Sequence, residues 1–211
     1  MLTIHAAGLL LTGADVLPDG AVAVDGAAVA ALGPLDEVAA AHPGARVRRW
    51  PGVITPGLRQ WHGGALLERT YHPDPREYEA VGDRSLTGER LAALEMSETR
   101  WAGSVRRGLQ HMLRHGTTAV AGDFTDPVVR TAVARSGLRA LPGAGAPGTE
   151  PDLDPFAGAG DLAGAVAGPL TVGGRADLAA FDVPDEAALI ARGAGTCVAT
   201  VLAGRLVFRG R

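Results

Sequence analysis

At 211 residues with 46% hydrophobic content, the chain has room for one large domain or two small ones and buries about 70% of its unfolded surface. Its 20 basic and 23 acidic residues give a net charge of -3 with no basic stripe, which excludes a surface built to neutralise nucleic-acid phosphates. Every basic residue is arginine, and the lack of lysine excludes a Schiff-base amine, a phosphate-loop lysine and a lysine carbamate bridging two metals.

Taken in chain order, "AAGLLLTGADVL" (6–17) is apolar but interrupted by Gly13 and Asp15, so it reads as strand and turn and not as a membrane span or signal peptide. "AVAVDGAAVAALG" (21–33) sets Asp25-Gly26 between two apolar runs, a hairpin signal. "LDEVAAAHPG" (35–44) predicts a short helix stopped by Pro43-Gly44, and "ARVRRWPGVI" returns to extended chain. A helical pattern runs from about 86 to 115, where Trp101, Val105, Leu109, Met112 and Leu113 share one face and Gly116 is the stop. "TTAVAGDF" (117–124) is a strand apolar on both faces. Asp126-Pro127 supplies an N-cap and first-turn proline for a helix ended by Gly137, and "LRALPG" is a further strand. Strand alternating with helix is the grammar of a parallel α/β unit. Residues 143–168, where Gly, Pro and Ala fill 17 of 26 positions, read as a linker. "LTVGGRADLAAFDV" and "CVATVLAGRLVFRGR" then read as strands joined by glycine turns. The single Cys197 excludes an internal disulfide and a cysteine-rich zinc site; it reads as a small buried hydrophobe in a reducing, cytoplasmic setting.

Five of these stretches, "GVITPGLRQWHGG", "MLRHGTTAVAGDF", "VARSGLRALPG", "VGGRADLAAFDV" and "VLAGRLVFRGR", resemble in order segments of the amidohydrolase superfamily, in its imidazolonepropionase and cytosine-guanine-type deaminase branch. The resemblance implies an α/β fold in which both chain ends (1–54 and 169–211) form a small composite β-sandwich. Residues 55–142 then form a truncated (β/α) barrel remnant and 143–168 the join. A full barrel of eight units takes about 250 residues, whereas 55–142 hold 88.

Enzymes of this kind hold a divalent ion with histidines and a carboxylate, so that bound water ionises and attacks a carbon-nitrogen centre. In "PGLRQWHGG" His62 matches the first histidine of the family's His-x-His pair, but Gly64 stands at the second. All six histidines lie at 5, 42, 62, 72, 111 and 115, and the His111/His115 pair lacks the intervening glutamate of a His-Glu-x-x-His hydrolase. His62 and Trp61 fall at the carboxyl end of a parallel strand, where α/β proteins place ligands. Either ligand contact or a hydrogen bond beside a glycine turn accounts for His62. Asp123 ends the next strand and either binds or caps the following helix, while His72 lies in the polar segment 68–84, which reads as a solvated loop or a lid.

Two readings follow. The first is a non-catalytic, amidohydrolase-like binding or partner protein with no cofactor, with His62, Trp61, Asp123 and His72 as binding residues for a small molecule. Its open barrel edge would be covered by a second copy, by a protein partner or by the helix around 86–115, with no nucleic acid and no membrane involved. The second is a hydrolase of non-peptide carbon-nitrogen bonds that uses zinc or iron in a minimal site made from His62, Asp123 and His72, either alone or completed by another subunit.

Overall fold

The computed structural model describes residues 2–143 and 151–210. The chain opens with β1 (Thr3–Ala6), β2 (Leu9–Leu11), β3 (Val16–Pro18), β4 (Gly20–Asp25), β5 (Ala28–Pro34), α1 (Leu35–Ala41), β6 (Arg46–Arg49) and β7 (Val53–Pro56). A middle part holds β8 (Leu58–Gln60), α2 (Gly63–Glu68), α3 (Tyr78–Val81), α4 (Gly88–Ala92), α5 (Glu98–Arg114), β9 (Thr117–Ala121), α6 (Pro127–Ser136) and β10 (Arg139–Leu141). After it come α7 (Phe156–Ala159), α8 (Leu162–Ala165), β11 (Leu178–Phe181), α9 (Glu186–Arg192), β12 (Cys197–Leu202) and β13 (Arg205–Arg209). The fold is mixed α/β with several sheets, and the described residues form no closed barrel.

The predicted hairpin is present. β4 turns into β5 with Asp25 paired to Ala28, and Gly26 takes the left-handed conformation at φ 57° that such a turn favours. These strands belong to a four-stranded sheet ordered β5-β4-β1-β6. A second sheet, β13-β12-β11-β7-β2-β3, interleaves the two ends of the chain: β7 pairs parallel with β2 and antiparallel with β11, where Val53 faces Phe181. The two sheets share one core, in which Val22, Val24 and Val29 of the first meet Leu10, Ile54, Leu178, Ala180 and Val201 of the second.

Between these segments lies a three-stranded parallel sheet, β10-β9-β8. Val105, Leu109 and Met112, at helical spacing on α5, bury against Val120 of β9 and against Val129 and Val133 of α6. Ser97 caps α5 by accepting from the Arg100 amide, and the Asp126 carboxylate caps α6 by accepting from the Val128 and Val129 amides at 2.7 and 3.3 Å. Asp126 also accepts from the Trp101 indole at 3.0 Å, which ties α6 to α5. Asp126→Ala is expected to cost about 1–2 kcal/mol, whereas Asp126→Asn, which can still cap, loses less; urea unfolding midpoints of the two variants measure the difference.

Three local expectations change. Of the 143–168 stretch expected as a linker, residues 144–150 lie outside the described residues. The rest carries α7 and α8, whose Phe156, Leu162, Ala165 and Val166 bury in one core with Val53, Leu58, Phe181 and Leu189. The helical pattern from 86 divides into α4 and α5, with Ser97 starting the longer helix. In 170–183 only Leu178–Phe181 is strand, and α9, capped by Asp185 on the Ala188 amide at 2.8 Å, lies between β11 and β12. No described helix is long and apolar enough to cross a membrane.

Candidate functional site

The carboxyl end of β8 is the position that sequence reasoning marks for a ligand. Gln60, its last residue, is fully buried; its Nε2 donates to the Asp152 and Leu153 carbonyls at 2.9 and 3.1 Å, and its Oε1 accepts from the His62 amide at 2.9 Å. The Trp61 indole and the Arg59 guanidinium both donate to the Gly164 carbonyl at 3.1 Å, with the guanidinium carbon 3.6 Å from the Trp61 ring centroid. Alongside, Val166 bridges to Leu58 and the Ala167 amide donates to the Gly57 carbonyl at 3.2 Å. The Arg59, Gln60 and Trp61 side chains at the strand end are engaged by carbonyls of the chain's own 152–164 segment. Arg59 and Gln60 were not foreseen as part of this arrangement, because their partners lie 92 to 105 residues away in sequence.

His62 is half-buried, and the backbone has already left the strand when it reaches this residue: φ is -96° and ψ 26°, and α2 starts at Gly63. In a strand, residues 62 and 64 would share a face; in a helix start they point about 200° apart. A Cβ added at Gly64 would meet nothing within 4 Å, so the position is open.

Asp123 is exposed in the loop after β9, and the capping role belongs to Asp126. That loop is held instead by Glu68 at the end of α2, whose Oε1 accepts from the Thr125 and Asp126 amides at 2.6 and 2.8 Å.

His72 sits fully inside the fold, away from any ligand-accessible surface. Its Nε2 lies 2.9 Å from the Leu66 carbonyl, which can only accept, so Nε2 carries the proton and Nδ1 accepts from the Ser85 hydroxyl at 3.1 Å. Both ring nitrogens are therefore used. The ring meets His111 edge-on at 5.4 Å and packs on Gly108, where an added Cβ would come within 2.8 Å of it. Burial pushes the imidazole pKa of His72 down, and His111, through burial first and then its basic neighbours, His72 and Arg114 foremost, is lowered to about 4.

The 68–84 segment read as loop or lid is latched onto α5. Tyr71 is fully buried, donates its hydroxyl to Glu77 and accepts from Arg100 Nε at 3.0 Å. Ion pairs of 3.0 Å join Arg100 to Glu77 and Arg107 to Asp74, and Arg107 also donates to the His72 carbonyl at 2.8 Å.

Among the described residues, no group of three or more His, Cys, Asp or Glu side chains is placed to hold a metal ion. His62 offers one imidazole beside a residue with no side chain, so the donors at the strand end do not fit a zinc or iron centre of the kind the resemblance implies. The Cys197 thiol is buried, and its pKa is raised to about 11 by that burial, which makes it a poor nucleophile. Cavities among the described residues lie elsewhere. An open groove of about 580 Å³ runs between α5 and α6, and a smaller cavity of about 310 Å³ lies among Gly57, Thr118, Arg139 and Asp177; none of the four candidate residues lines either.

Neither a protein-family model nor a curated protein matches the sequence. Solved structures do. An ochratoxinase from A. niger is 20% identical over 67% of this chain and 31% of its own, at a TM-score of 0.45. An adenosine deaminase from Xanthomonas campestris with bound zinc is 23% identical over 66% of this chain and 33% of its own, at 0.43. A guanine deaminase from Bradyrhizobium japonicum is 18% identical over 67% and 34%, also at 0.43. The chain thus spans about a third of the length of each.

Proposed function

We propose that this protein is an amidohydrolase-like binding or partner protein whose middle part is a partial (β/α) barrel and which does not hydrolyse carbon-nitrogen bonds by itself. One observation carries the reading: where the resemblance calls for a second coordinating residue, the chain has Gly64, which has no side chain to coordinate, and it has already turned from strand into helix, so the strand geometry that sets residues 62 and 64 on one face is absent. The strand end beside it is filled by the 152–164 carbonyls. A catalytic centre needs a nucleophile, a base and a site for the reacting atom within reach of both, and a lone imidazole supplies at most one of these.

The second reading, a zinc- or iron-dependent hydrolase of non-peptide carbon-nitrogen bonds completed by another subunit, is favoured by His62 standing at the carboxyl end of a parallel strand. Metal analysis of the purified protein, combined with light scattering, separates the two. The first reading expects sub-stoichiometric zinc and iron and no chelator-sensitive deaminase or cyclic-amide hydrolase activity. One tightly held metal per chain, with activity lost on chelation, overturns it.

Gly64→His sharpens the test. The open space at this position lets the side chain fit, and replacing glycine inside a helix gains up to about 0.5 kcal/mol. The variant is expected to fold with an unchanged or slightly raised melting temperature and to bind no more zinc than the parent. A gain of one zinc per chain would show that the two positions do converge.

A further inference from the structure

We propose that the cavity between Arg139, Arg175 and Asp177 is a binding site for a small oxyanion-bearing ligand, a carboxylate or a phosphate. It lies at the amino ends of the parallel strands, opposite His62, where Gly57 precedes β8, Thr118 is the second residue of β9 and Arg139 the first of β10. Its volume of about 310 Å³ is at the small end of ligand pockets.

The charge count favours an anion. Two guanidinium groups face a single carboxylate: Arg175 Nε donates to Asp177 Oδ1 at 3.0 Å, and Arg139 Nε lies 3.7 Å from Asp177 Oδ2, too long for a hydrogen bond. Oδ1 is further used by the Ala203 amide at 2.7 Å. The Asp177 side chain is only 8% exposed, whereas those of Arg139 and Arg175, which also line the cavity, are 39% and 38% exposed. One carboxylate thus leaves an excess positive charge on two partly accessible, fork-shaped donors, the arrangement that recognises carboxylate and phosphate.

The cavity wall is also under-satisfied. Thr118 is fully buried and its hydroxyl, like Arg139 Nε, has no hydrogen-bond partner, and both residues line the same space. Buried polar groups are paired in most folds, and two donors left without a partner beside a cavity suit an acceptor-bearing ligand. The remaining arginine contacts, Arg139 Nη2 to the Ala167 carbonyl at 3.2 Å and Arg175 to the Gly137 carbonyl, orient the two guanidinium groups from behind. Neighbouring Gly168 and Gly174 present backbone without side chains to the same space. A cationic ligand is disfavoured by the two arginines, and a neutral one leaves the excess charge uncompensated.

The test is titration calorimetry of the full chain with benzoate in one arm and inorganic phosphate in the other, at constant ionic strength, against chloride. Saturable binding of one probe per chain is expected, weakened about tenfold by Arg139→Gln or Arg175→Gln and unchanged by Arg106→Gln in the distant α5–α6 groove. The probe that saturates at the lower concentration tells carboxylate from phosphate. Should an arginine variant fail to fold, phenylglyoxal modification of the parent protein reads the same contact: the bound probe slows modification of Arg139 and Arg175, but not of Arg106, in peptide mass spectra. Failure of both probes to saturate, or binding with Arg139 and Arg175 left unprotected, overturns the proposal.

Discussion

Taking the protein from neutral pH to about 4 is expected to remove about 3 kcal/mol of folding stability through His5 alone. His5 is 2% exposed on β1, and the Trp50 indole, which can only donate, binds its Nδ1 at 3.1 Å. The ring is therefore neutral, with its proton on Nε2. Protonating Nδ1 would break the bond to Trp50 and bury a charge beside Arg48, the residue in register with His5 on β6. Burial first and Arg48 second lower its pKa from 6.5 to about 4. Between those values the unfolded chain takes up a proton that the folded chain refuses, so stability is fully present above pH 6.5 and is lost as pH falls through the folded value. His111 and His72, lowered in the same direction, add to the loss, with the half-buried His111 screened by solvent. Glutamine at position 5 can accept from the indole and does not titrate. His5→Gln is thus expected to flatten the fall in melting temperature between neutral pH and 4, and parallel curves for parent and variant would assign the acid sensitivity elsewhere.

Gly52→Ala is expected to cost about 4 kcal/mol, equivalent to a drop of about 10 °C in melting temperature. Gly52 has φ +66°, a conformation costing an alanine about 1–2 kcal/mol. An added Cβ would also lie 2.3 Å from the carbonyl oxygens of both Phe181 and Val183, backbone that cannot rotate away. The clash falls where β7 joins β11, the seam through which the first and last parts of the chain share one sheet. Gly26→Ala supplies the comparison, because Gly26 has a similar φ of +57° but nothing within 4 Å, and it is expected to lose only the conformational cost. Equal losses for the two variants would mean that the seam tolerates the clash, which calorimetric melting of both proteins measures.

Much of the local architecture can be read directly from residue order. Asp25-Gly26 makes its hairpin, Asp126-Pro127 starts α6, Gly137 ends it, and the Trp101-to-Leu113 stripe buries as one face of α5. Each depends on residues within a turn or two of one another, so local chemistry suffices. The shortage of coordinating groups was equally plain, since Gly64 has no side chain in any conformation.

Other features depend on where distant segments meet. The 151–168 segment is rich in Ala and Gly and carries no periodic signal, yet Phe156, Leu162 and Val166 find a core because Val53, Leu58 and Phe181 are brought to them. His72 lies in a polar, proline-broken stretch, but Leu66, Ser85 and Gly108 enclose it.

By itself the sequence determined the Asp25-Gly26 hairpin, the apolar face of α5, the Asp126 cap and Gly137 stop of α6, the arginine-only basic set and the missing second ligand at position 64, because these follow from side-chain chemistry and short-range periodicity. Tertiary structure decided that the β8 strand end is filled by the 152–167 segment, that His72 is a core residue and that Arg139, Arg175 and Asp177 surround a cavity. Those outcomes depend on contacts that reach across as many as 105 positions of chain, and only folding selects which of many distant pairs are made.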